Sequence, residues 1–135
     1  MPITYHPAED VQSLVREVIE RLSLIHIDPN RVFCFRSRGS RSRRGIARCY
    51  SLSKIWQKAL SIPSYYIVEV ISERYDGLSD ENKVKVIIHE LLHIPKAFGG
   101  GLRPHIGCVT RRTVEENYCR FIASKSQSGD RNPSP

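Results

Sequence analysis

The sequence predicts an α+β fold in one domain. It has a short, mostly antiparallel sheet of about three strands, packed against an N-terminal helix and a second, motif-bearing helix, with a closing C-terminal helix. Apolar residues recur at helical spacing in separate stretches. Between them lie three shorter runs rich in β-branched and aromatic residues. The length of 135 residues, 40% of them hydrophobic, suits a single core and is short for two.

The first helical stripe is Val11, Leu14, Val15, Val18, Ile19 and Leu22, with Arg16, Glu17, Glu20 and Arg21 on the opposite side. Asp28-Pro29-Asn30 signals a turn, after which Arg31 to Arg36 reads as a strand and Ile46 to Leu52 as a second. Leu52, Ile55, Trp56, Ala59 and Leu60 fit a short helix capped by Ser51 or Ser53 and stopped before Pro63. Tyr65 to Ile71 is apolar on both faces, as expected of a central or covered strand. Asp76-Gly77 makes a turn, Ser79 caps the next helix, and Asp80 and Glu81 suit the positive end of its dipole.

That helix, Asp80 to His93, organises the chain. Val84, Ile87, Ile88, Leu91 and Leu92 form its buried stripe, and Pro95 stops it by breaking the hydrogen-bond ladder. Gly99-Gly100-Gly101 lets the backbone reverse. Thr110 to Ala123 is the expected last helix, with Val114, Tyr118, Phe121 and Ile122 on its buried side. The domain is thus expected over residues 1–123, followed by a disordered tail over 124–135.

The helix carries His89-Glu90-Leu91-Leu92-His93 at its C-terminal end. His residues four apart project from one side and can share one tetrahedral Zn²⁺ per chain, and Glu90 between them can take a proton from water at the metal. The bland alternative is a half-buried helix whose two His only satisfy hydrogen bonds. Catalytic zinc takes three protein ligands as a rule, and His105 is the best third. It follows the proline stop and the glycine turn, so the chain can fold back over the helix end. Glu115 or Glu116 on the last helix competes for that place, as does Cys108.

The four cysteines, Cys34, Cys49, Cys108 and Cys119, include no Cys-x-x-Cys pair. Reduced thiols in a cytoplasmic protein are the expectation, with a Cys34–Cys49 disulfide between neighbouring strands left open. No apolar run approaches the length of a membrane span, and the N-terminus lacks the regions of a secretory signal. The net charge of +7 is concentrated in Arg36, Arg38, Arg41, Arg43, Arg44 and Arg48, within a Ser- and Gly-rich connection. Arginine suits bidentate phosphate contact, so this connection is the candidate for sequence-independent nucleic-acid binding. The bland reading is a solvated loop or lid.

The order of elements, with His89-Glu-Leu-Leu-His93 and Gly99-Gly-Gly-Leu-Arg-Pro-His105, resembles the SprT-like zincins and the related phage-type metallopeptidases. The resemblance covers Pro7 to Ala123. It implies a small zincin core, His89, His93 and His105 as zinc ligands, and Glu90 as general base. The third ligand is not at the metzincin spacing, which would fall on Gly99. The expected activity is zinc-dependent hydrolysis of peptide bonds in a protein or peptide substrate, bound by addition to a strand. The sequence assigns no oxyanion-stabilising residue; Tyr118 and Arg103 are guesses for that role, and each reads first as structural or surface. The alternative is a nucleic-acid-binding or scaffold protein with a non-catalytic zinc site, for which a glutamate between the ligands has no use.

Overall fold

Among the described residues, four strands make one mixed, open sheet in the order β1-β2-β4-β3. They are β1 (Thr4–Pro7), β2 (Val32–Arg38), β3 (Ala47–Ser51) and β4 (Tyr66–Ile71). The computed structural model describes residues 2–40 and 45–130. Its helices are α1 (Glu9–Arg21), α2 (Lys54–Leu60), α3 (Ser72–Tyr75), α4 (Asp80–Leu92) and α5 (Arg111–Asp130), with one 3₁₀ turn at Pro29–Arg31. The fold is therefore α+β as expected, with one strand more than the sequence suggests. The extra strand, β1, has all four residues exposed, so it lacks the apolar alternation that marks a strand in sequence.

β4 is the central strand. It runs parallel to β2 on one side and antiparallel to β3 on the other, while β1 closes the far edge antiparallel to β2. The arginine-rich connection thus does not join neighbouring strands, because β4 inserts between β2 and β3. One consequence concerns the cysteines. Cys34 and Cys49 both register with Val68 from opposite sides, which places them about 9–10 Å apart, two strand spacings. A disulfide needs Cα atoms within about 7 Å, and both thiols are free.

One face of the sheet is the core face. Val32, Cys34, Tyr66, Val68 and Val70 point into it and meet Val11, Val15 and Val18 of α1 and Ile87, Ile88 and Leu91 of α4, all in one buried cluster. Burying each such aliphatic side chain stabilises the fold by roughly 1.5–3 kcal/mol before entropy is counted. α5 adds Val114 and Phe121 to the same cluster, whereas Ile122 is exposed. α5 also continues past the expected end at Ala123 to Asp130, and 131–135 of the expected tail lie outside the described residues.

The short helix α2 begins after Ser53 as expected, although the serine side chain makes no capping bond. Its apolar stripe is not part of the core. Ile55 is 77% exposed and Trp56 58% exposed. The helical period was legible there, but period alone does not say that a partner face exists.

Candidate metal centre

α4 is built to present its last turn. Ser79 accepts a hydrogen bond from the Asn82 backbone N–H, and Asp80 and Glu81 occupy the positive end of the helix dipole. Ile87, Ile88 and Leu91 anchor one side in the core. The helix ends at Leu92, with His93 as the capping residue, and Ile94 and Phe98 carry the following turn into the core.

The return loop is held on both sides. Gly100 has φ +105°, and a Cβ there would meet the Leu52 carbonyl oxygen and Gln57 Nε2, each at 2.9 Å. Only glycine allows this approach. Gln57 Nε2 donates to the carbonyls of Leu52 and Gly99, and the Tyr66 hydroxyl accepts from Gly100 N–H and donates to the Gly101 carbonyl. Arg103 N–H then donates to the His93 carbonyl at 2.7 Å, bringing the chain back to the helix end two residues before His105.

His89, His93 and His105 converge there. One ring nitrogen from each can be chosen so that all three lie within 4.8 Å of one another, and among the described residues they are the group able to hold a metal ion. Ring centroids are 5.1 Å apart for His89 and His93, 5.2 Å for His89 and His105, and 4.5 Å for His93 and His105. His93 Nδ1 lies 2.7 Å from the Arg103 carbonyl oxygen. A carbonyl only accepts, so Nδ1 carries the proton and Nε2 keeps its lone pair free for a cation. Burial, followed by the neighbouring His93 and His105, holds the His89 pKa down at about 4. The donor set is therefore imidazole nitrogen with lone pairs available, which fits a transition-metal cation.

Glu90 is 6% exposed, and burial pushes its carboxyl up to about 7. Its Oε2 is 3.9 Å from His89 Nε2. Cys49 sits close by on β3: burial and then the Glu90 charge push its thiol up to about 12. A cavity of about 900 Å³ opens beside the centre, with His89, Glu90 and His105 in its wall.

The competing ligands are occupied elsewhere or stand apart. Glu115 pairs with Lys85 at 3.0 Å and Glu116 with Arg112 at 3.0 Å, and Cys108 is not in the histidine group. Tyr118 donates to Glu81 beneath the Lys85 ammonium. Arg103 serves the centre through its backbone. That carbonyl is a functional group the sequence could not reveal, because every residue carries one.

The arginines separate. Arg36 is bound bidentately by Asp10, at 3.0 and 2.9 Å, and also by Asp76 at 2.8 Å. Its side chain, 16% exposed, ties β2 to α1 and to the end of α3. Arg38 and Arg48 are exposed. Arg41, Arg43 and Arg44 lie outside the described residues, and nothing here links the group to nucleic acid.

A helix end and a tethered loop thus bring together three imidazoles that could hold a metal ion, with a buried glutamate next to His89. The chain belongs to the family described as "Putative phage metallopeptidase", which matches residues 3–107. The match runs from β1 through the His105 loop and carries no SprT-like name. A peptidase family implies protein substrates. No curated protein and no solved structure matches the chain. Among the described residues no helix is long and apolar enough to cross a membrane.

Proposed function

We propose that the protein is a zinc-dependent peptidase of the zincin type, with one Zn²⁺ per chain held by His89, His93 and His105 and with Glu90 as its general base. The observation that carries this is the convergence of the three ring nitrogens within 4.8 Å on the helix that also holds Glu90. When bound, zinc supplies Lewis acidity toward a carbonyl and acidifies water.

The chain's own residues do the rest. Arg103 fixes the tautomer and the ring direction of His93 through its carbonyl. Ile94 and Phe98 root the return loop in the core, and the Arg103 N–H ties it to the His93 carbonyl two residues before His105. Glu90, walled from bulk solvent on its α4 and β3 sides, accepts the proton of the attacking water as the new C–O bond forms. It then gives that proton to the amide nitrogen as the C–N bond breaks. A scaffold with a structural ion needs no buried base beside its ligands, and Glu90 is the residue that separates the two readings.

The test is hydrolysis of an unstructured protein by wild type and Glu90→Gln. The amide keeps the shape of the side chain but accepts no proton, so turnover should fall at least ~10²-fold while metal content is retained. Equal turnover would remove Glu90 from the chemistry.

A further inference from the structure

The cavity beside the centre is asymmetric in a way that the hydrolytic reading leaves unexplained. Its apolar walls include Ile46 just before β3, Leu78, Val86 of α4 and Val114 of α5. Its polar rim is cationic: Arg74, Lys85 and Arg111 line it, and among the described residues the one carboxylate in the lining is Glu90. These three cations are not equivalent. Lys85 is neutralised by Glu81 at 3.3 Å and by Glu115 at 3.0 Å. Arg74 donates to the Gly45 carbonyl at 3.0 Å, a contact that orients the guanidinium without cancelling its charge. Arg111, exposed at the start of α5, has no ion pair among the described residues, and neither has Arg74.

Resting on the peptidase reading, we infer that the cavity selects peptides carrying an acidic side chain close to the scissile bond, with Arg111 as the specificity-determining residue and an apolar neighbour seated on Ile46, Leu78 and Val114. An arginine with unused donors offers a carboxylate two parallel hydrogen bonds. A long guanidinium on the rim reaches a substrate side chain without entering the catalytic step. Arg74, already tethered, contributes a fixed positive potential to the same cavity. A substrate with lysine at that position meets two unpaired like charges and is disfavoured, so selection works by repulsion as well as attraction.

The experiment compares three peptides identical except for Glu, Gln or Lys two residues from the cleaved bond, using the zinc-loaded 135-residue chain. The expected order of kcat/KM is Glu over Gln over Lys, with Glu favoured over Gln by about 5-fold, the scale of one partly exposed ion pair. Arg111→Glu should invert the order, and Arg111→Gln should flatten it. Cleavage with no preference, or a preference unchanged in Arg111→Glu, overturns the inference and leaves the hydrolytic reading standing. If no peptide is cleaved, the hydrolytic reading fails. The cavity is then judged by peptide binding measured by fluorescence polarisation, in which equal affinity for the Glu and Gln peptides overturns the inference. A single-stranded oligonucleotide that displaces the Glu peptide and loses its grip in Arg111→Glu would assign the rim to phosphates, and would also overturn it.

Discussion

Glu90 should make the metal-free protein less stable at high pH, and Glu90→Gln should relieve that effect. Glu90 is 6% exposed, and burial raises its carboxyl from 4.5 to about 7. A group whose folded pKa lies above its unfolded value contributes stability below the unfolded pKa and loses it as pH rises through the folded one. Here the window runs from 4.5 to about 7. Across it, ionising the buried carboxylate costs the folded state up to about 3 kcal/mol. Glutamine is neutral throughout, so its own burial cost is the same at every pH and cancels from the slope. The assay is urea denaturation of chelator-stripped wild type and Glu90→Gln between pH 4.5 and 8.5. The stability difference, variant minus wild type, should grow with pH and level off above pH 8. A difference that stays constant across the range would refute the claim that Glu90 is held in a poorly solvated pocket.

Other expected outcomes concern the frame. Arg36→Leu should cost about 1–2 kcal/mol at neutral pH by stranding Asp10 and Asp76. Through its hydrogen bond Arg36 holds the Asp10 carboxyl below 3.8, so that part of the loss should shrink as pH falls through the lowered value; denaturation at pH 7 and pH 3 reads both. Ile88→Ala should cost about 2–5 kcal/mol, because Ile88 is 1% exposed in the core. Ile55→Ala, on the open stripe of α2, should change stability by less than about 0.5 kcal/mol. A comparable loss in the two variants would mean that α2 has a partner face after all.

What the sequence disclosed followed from how local each signal is. The stripes of α1 and α4, the Ser79 cap and the Pro95 stop are set by neighbours within a few residues, and each appears in the structure. The closeness of His105 to His93 was legible as a loop that could return. The means of return, Gly100 packed on Leu52 and Arg103 bonded to His93, depends on backbone groups that carry no residue code. β1 escaped notice because it is short and exposed on all four residues. The order β2-β4-β3 was hidden because chain order suggested that β2 and β3 should pair. Arg36 looked like one charge among six; its two aspartate partners, Asp10 and Asp76, are 26 and 40 residues away in sequence.

The most direct measurement of the central claim is zinc binding by purified wild type, His105→Ala, Glu115→Ala and Glu116→Ala, read as metal content after dialysis and as affinity by chelator competition. Wild type should hold about one zinc per chain, and His105→Ala should weaken binding at least ~10²-fold. Glu115→Ala and Glu116→Ala should bind as wild type does. Unchanged zinc content in His105→Ala, or its collapse in either glutamate variant, would contradict the three-histidine centre.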